Sequence, residues 1–264
     1  KIKILFKNYG WFALGWLLIF LSISLFSVSV RGKEVTAHFF DPSRVTPQRN
    51  EVLVVGIDDK SLQSIGAWPW DRKVFADLTQ KLNTLGVKAI VYDVLFLEGR
   101  SGDAEFKNAL VESKIPIILA SKSDNGAYLE SFLSNTAPNV TSALANVTPD
   151  SDGKVRSFPP TATIKGNCVD TLAHSMFGIY TRTNTCDDLS LFSFRHTEEI
   201  KTVSVFDVLN ASDTDNSYKD KVIFIGSVSL DLPDHFVGMN GSKIAGVYVH
   251  ASIFNTLLNK DSDK

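Results

Sequence analysis

The sequence predicts an α/β fold: a mixed, largely parallel central sheet flanked by helices, preceded by one N-terminal transmembrane helix. Three observations lead there. Residues 11–30, WFALGWLLIFLSISLFSVSV, carry no charged side chain. Between residues 52 and 120, short β-branched apolar runs alternate with apolar stripes at helical spacing, a pattern that favours a parallel sheet with crossover helices. Near the C-terminus another such run, Val222–Ile225, is followed by a helical stripe from Val249 to Leu258.

The 264 residues, 44% of them hydrophobic, are enough for one large domain with a sizeable core plus one extra segment. The net charge of −2 gives no basic excess of the kind nucleic-acid binding requires, so no nucleic-acid partner is expected. Lys, not Met, stands first, so the chain reads as part of a longer protein.

Taken in order, residues 1–10 are a basic, cytoplasmic N-terminus with Lys1, Lys3 and Lys7. Residues 11–30 would extend about 30 Å as a helix, the thickness of a hydrocarbon core. Tyr9 and Trp11 stand where an aromatic belt belongs, and the lysines place the N-terminus inside. A cleaved signal peptide would have a shorter apolar region, about 7–15 residues. An uncleaved anchor in the cytoplasmic membrane fits better, with the remainder outside it. Residues 31–50 read as a Pro- and Arg-containing linker, and residues 51–264 as the extracytoplasmic domain.

Val52–Val55 is a buried strand, ended by Asp58 and Asp59. A short Ser-Leu-Gln segment, Gly66 and the knob Trp68-Pro69-Trp70 lead to Asp71, placed to cap a helix. That helix carries Val74, Phe75, Leu78, Leu82 and Leu85, and Gly86 ends it. Val87–Phe96 is a second strand with Asp93 near its carboxyl end. A helix starts near Asp103, and Ile115–Ala120 is a third strand. Farther on, Leu144–Val147 and Val155–Phe158 are expected to form a hairpin around Asp152-Gly153. Leu172–Tyr180 reads as a helix. Phe192–Phe194 and the segment of Val203 and Val205 read as short strands, and residues 231–245 as a loop.

Several of these stretches resemble one family. Ile57–Arg72, IDDKSLQSIGAWPWDR, is similar to the N-terminal signature of CHASE2, an extracytoplasmic sensory domain of bacterial membrane signalling proteins. AIVYDVLF from Ala89 and KVIFIGS from Lys221 resemble the same family in the same order. So do Asp231, Asp234 and GVYVHA from Gly246. The resemblance implies a receptor that continues with further membrane spans and a cytoplasmic output. That output would be a class III adenylate or guanylate cyclase, or else a histidine kinase, a diguanylate cyclase or a protein kinase. In physical terms, a stimulus would change the packing of this domain or its dimer contacts and the membrane helix would carry the bias inward, so a homodimer is expected. The resemblance names no ligand: the stimulus is an unspecified small molecule or protein, besides the membrane itself.

If the apolar strands run parallel, their carboxyl ends share one rim, where ligands bind in open α/β sheets. The rim then gathers Asp58, Asp59, Asp93, Asp231 and Asp234, with Arg72, Trp68, Trp70 and His250 close by. These are the candidate ligand-binding residues, suited to a cationic or hydroxylated small molecule. The structural alternative is the default for each. Asp58 or Asp59 would cap a helix, Asp93 would pair with Arg72, and the tryptophans would plug the core. Asp231-Leu-Pro-Asp-His235 with His250 fits no standard metal site, and no metal or cofactor is expected.

The sequence lacks GxxxxGK(S/T), GxGxxG, GxSxG and HExxH, and adjacent acids on a strand point to opposite faces. Catalysis within this chain is therefore not expected. The rivals to a sensor are a membrane-anchored binding or scaffold module and, more weakly, a periplasmic hydrolase using the rim carboxylates. Cys168 and Cys186 flank the Leu172–Tyr180 helix, and the return path is just within reach of a disulfide. In an oxidising compartment it would contribute roughly 3 kcal/mol. Two buried thiols are the alternative.

Overall fold

The computed structural model describes residues 49–155, 157–183, 192–193, 200–238 and 241–262. The run 11–30, expected to form the membrane helix, lies outside the described residues. Among those described, no helix is long and apolar enough to cross a membrane.

β1 (Val52–Ile57) is buried along its whole length and hands over at Asp58 to α1 (Asp59–Ile65). The Trp-Pro-Trp knob then leads to α2 (Arg72–Thr84), whose N-cap, Asp71, accepts from the Lys73 amide at 2.8 Å. Gly86, at φ 71°, lets the chain turn back after α2. β2 (Ala89–Leu95), α3 (Asp103–Glu112) and β3 (Ile117–Asp124) follow as expected. Next come β4 (Ala127–Leu129), β5 (Val140–Leu144), β6 (Ser157–Phe158), β7 (Thr161–Ile164) and β8 (Asn167–Asp170). After α4 (Leu172–Thr181) and β9 (Phe192–Ser193) the chain reaches β10 (Thr202–Ser204) and α5 (Val205–Leu209). It closes with β11 (Val222–Ser227), the hairpin β12 (His235–Val237) and β13 (Lys243–Ala245), and α6 (Gly246–Ser262).

The main sheet is parallel in the order β10-β1-β11-β2-β3-β5, with β4 folded back antiparallel on the end of β3. β11, late in the chain, pairs on one side with β1 (Val54 opposite Phe224) and on the other with β2 (Val91 opposite Phe224). Because side chains alternate across a strand, each strand feeds two cores. Leu53, Val55, Ile90, Tyr92 and Ile223 face α2, α3 and α5. Val52, Val54, Val91 and Phe224 face α4 and α6. The result is a three-layer sandwich, the arrangement that apolar parallel strands require.

Phe75 of α2 anchors the first core. Its ring lies 5.1 Å from that of Phe96, 5.9 Å from Phe106, 6.0 Å from Tyr92 and 6.2 Å from both Trp68 and Trp70. The deeply buried Tyr92 hydroxyl shares a 2.7 Å hydrogen bond with Thr79, so this dense aromatic core leaves no polar tip stranded there.

Three local expectations are corrected. The turn at Asp150–Lys154 forms, but its flanks do not pair with each other. Leu144 ends β5, which runs parallel to β3, whereas Ser157 and Phe158 pair with β9. Long-range pairing with an apolar neighbour outweighs a favourable local turn. Val205 starts α5 instead of extending a strand, because Ser204 caps a helix there. The loop 231–245 contains the β12–β13 hairpin. Two further hairpins, β3–β4 and β7–β8, turn at Asn125-Gly126 and Lys165-Gly166, all at positive φ.

Candidate functional site

The carboxyl ends of β1, β11, β2, β3 and β5 open into a cleft of about 500 Å³. Ile57, Ser227, Asp93 and Lys122 line it from the strands, and Ala145 and Asn146 from just beyond β5. Trp68, Pro69 and Arg72 close one side, joined by Arg100 from the β2–α3 connection. Leu232, Pro233, Asp234 and Phe236 close the other.

Asp93 lines the cleft from the end of β2. Residues Tyr92 and Val94 turn to the α2 and α3 layer, so Asp93 turns to the α6 layer. It pairs in register with Gly226, where an added Cβ would come within 2.8 Å of the Val247 Cβ and 3.2 Å of the Asp93 Cβ. Only glycine lets α6 and Asp93 approach β11 this closely. The Asp93 side chain is 7% exposed, and its Oδ2 accepts no hydrogen bond among the described residues. Its Oδ1 lies 3.9 Å from His250 Nε2, which meets the Ala145 carbonyl at 3.3 Å. Burial without a donor pushes the Asp93 carboxyl up to about 7.

Asp234 lies against the first turn of α6. Its carbonyl accepts from the Gly246 amide at 3.0 Å, and a Cβ on Gly246 would come within 2.8 Å of its carboxyl carbon. The positive end of a helix suits a carboxylate there. Even so, burial, followed by the neighbouring Asp93, holds Asp234 up to about 6, with His250 and His235 opposing. Burial drives His250 down to about 4, against the pull of Asp234. Two acids and one imidazole are thus packed at the floor of the cleft in an environment that disfavours charge on each.

Arg72, the first residue of α2, lies with its guanidinium 4.5 Å over the Phe96 ring and its side chain 5% exposed. Its partner is Asp103, at 3.6 Å from Nε, and not Asp93 as the structural alternative held. At that separation Nε makes no hydrogen bond. Burial lowers the Arg72 pKa, as does the nearby Arg100, while Asp103 raises it.

The remaining sequence candidates divide cleanly. Asp58 caps α1: its Oδ1 accepts from the Ser61 amide at 2.8 Å, the Ser61 hydroxyl at 2.6 Å and the Ser204 hydroxyl at 2.8 Å. Asp59 accepts from the Ser229 hydroxyl, and Asp231 is exposed, its amide donating to that same hydroxyl. None of these three lines the cleft. Trp70 is a core plug, 4% exposed, with Nε1 donating to the Gly66 carbonyl at 2.7 Å. Trp68, half-buried and edge-on to Trp70, does line it. Of the candidates, the cleft therefore gathers Trp68, Arg72, Asp93 and Asp234, with His250 packed against its floor. Ser227, Arg100, Lys122 and Asn146 went unread. Ser227 was reachable by the rule for strand ends, since it closes β11. Cys168 is disulfide-bonded, and Cys186, the other cysteine of the sequence, lies outside the described residues.

The fold is an α/β domain with a depression at the strand ends that falls in the size class of small-molecule sites. The chain belongs to the CHASE2 domain family: the family model matches residues 13–263, nearly its whole length. CHASE2 is a family of extracytoplasmic sensory domains. No curated protein and no solved structure matches the chain.

Proposed function

We propose that this chain is the input domain of a membrane-anchored bacterial signalling receptor, reading its stimulus at the strand-end cleft. The observation that carries this reading is a ligand-sized cleft, with buried ionisable groups at its floor, in a CHASE2 domain. Residues 11–30 anchor it in the cytoplasmic membrane, leaving residues 51–264 outside. A cytoplasmic output, a class III adenylate or guanylate cyclase or else a histidine kinase, diguanylate cyclase or protein kinase, lies in the same receptor, which works as a homodimer. A stimulus acts by binding two packing states with different affinity, which biases the anchor helix.

The test uses the full-length receptor in membranes, with cyclic-nucleotide and phosphoryl-transfer output assayed as conditions on the outer side are varied. A stimulus-dependent change in output is expected, and it should vanish when residues 49–262 are replaced by an unrelated folded domain. Output that responds identically after that replacement sinks the reading.

A further inference from the structure

Resting on the reading of the cleft as the input site, we infer that its ligand is a zwitterionic amino acid, with its ammonium at Asp93 and Asp234 and its carboxylate at Arg72 and Arg100.

The cleft has two poles, and the sheet separates them. Asp93 projects toward the α6 layer, where Asp234 lies against Gly246. Arg72 belongs to the α2 layer and stacks on Phe96, a residue of the opposite core. Arg100 lines the same cleft and is exposed. A molecule spanning the strand ends therefore meets Asp93 and Asp234 on one side and Arg72 and Arg100 on the other, while Lys122, which also lines the cleft, is paired with Asp124 at 3.6 Å.

Each pole contains a buried group with unmet bonding. Asp93 Oδ2 accepts nothing among the described residues, although the side chain is 7% exposed. Arg72 Nε donates to nothing among them, although the side chain is 5% exposed. A buried polar group left so costs about 1–3 kcal/mol, more when charged. An ammonium supplies three donors to the first pole, and a carboxylate accepts the forked donors of the second. At pH 8, where Asp93 is ionised, a dicarboxylate would set an anion against it, and a polyamine would set a cation between two guanidiniums. Only a molecule carrying both charges satisfies both ends.

Binding also moves a proton. The titratable groups facing Asp93 are Asp234, from the segment before β12, and His250 of α6. His235 of β12 acts on Asp234. With Asp93 held near 7 by burial, a docking ammonium favours the carboxylate, and the carboxyl proton leaves to solvent. Affinity then rises as the pH goes from 5 to 8.

The whole 264-residue chain, held in lipid nanodiscs, is titrated calorimetrically with the twenty amino acids, γ-aminobutyrate, glutarate and putrescine. At least one amino acid should bind saturably, with proton release. Glutarate and putrescine should bind at least tenfold more weakly. Asp93→Asn and Arg100→Gln should each weaken the amino acid at least tenfold. Because Arg100 is exposed, its substitution keeps the test valid should Asp93→Asn fail to fold. Amino-acid binding indifferent to both substitutions overturns the site. Glutarate or putrescine binding as tightly as any zwitterion overturns the ligand class but leaves the cleft as input site. Binding by none of the probes overturns the inference, and the domain-replacement assay decides separately whether the input reading stands.

Discussion

Asp58 and Asp93 occupy equivalent places in the sequence pattern, each at the carboxyl end of an apolar strand, yet the fold treats them oppositely. Asp58 receives three hydrogen bonds on one oxygen, from Ser61 twice and from Ser204, and joins the start of α1 to the start of α5. Burial acts to raise its pKa, but those bonds outweigh it and the pKa falls below the usual value. Asp93 has the burial without the donors, and its pKa rises to about 7. A carboxylate whose oxygens are supplied with N–H and O–H groups is a fixed structural part. One that is buried and undersupplied is poised to change charge when something arrives.

Asp93→Asn tests the contrast most severely. The folded-state pKa of Asp93 is raised, so the native protein holds a proton that the unfolded chain gives up near pH 4. Stability from this group is fully present below that pH and is lost as pH climbs toward 7. The opposite slope comes from His250: its folded value is depressed to about 4, so its contribution grows from about pH 4 to 6.5. The difference between Asp93→Asn and the wild type removes most of that background. It should shift in favour of the variant between pH 4 and 8, by up to the order of 4 kcal/mol for a rise from 3.8 to about 7. Denaturant titrations at several pH values measure it, and a flat difference would mean that Asp93 is not held neutral.

Gly246→Ala sharpens the same contrast at the second acid. The added Cβ would overlap the Asp234 carboxylate, which has to leave the first turn of α6. A loss of up to about 3 kcal/mol in chemical denaturation is expected, and a change under 0.5 kcal/mol would show that the carboxylate is not seated there.

Asp58→Ala should cost about 2 kcal/mol, because it strips a helix cap and leaves the Ser61 and Ser204 hydroxyls short of an acceptor. Its pH signature is the reverse of that at Asp93. A depressed carboxyl contributes stability above the unfolded pKa and loses it in acid, so the penalty should fade below about pH 4. A penalty that grew in acid would break the comparison. The smallest effect is expected for Asp59→Ala, about 1 kcal/mol, since that exposed residue loses one hydrogen bond from Ser229. Unlike Asp93→Asn, neither Asp58→Ala nor Asp59→Ala should alter ligand titrations of the cleft.

Much of this architecture was legible in advance. The apolar runs at 52, 89, 117 and 222 became parallel strands, Asp71 capped its helix, and Gly86 turned the chain. Part of the site was legible too, because strand ends in a parallel sheet share a rim, and Asp93, Asp234, Arg72 and Trp68 all reached it. Asp231 stands three residues before Asp234 in the same connection yet stays exposed, since the β12–β13 hairpin and the start of α6 take up only the second acid. Arg72 likewise turned to Asp103, a partner contributed by α3 and absent from its local sequence.

The sequence by itself determined the main strands and helices of the sheet and the helix cap at Asp71. Those properties follow from the period of apolar residues and from side chains acting within a few positions of themselves. Tertiary structure alone decided that β11 lies between β1 and β2, that the acids divide into capped and undersupplied, and that Arg72, Arg100, Asp93 and Asp234 line one cleft. Strand order depends on pairings between segments more than 100 residues apart, and the charge state of a carboxyl depends on which donors that pairing brings within reach.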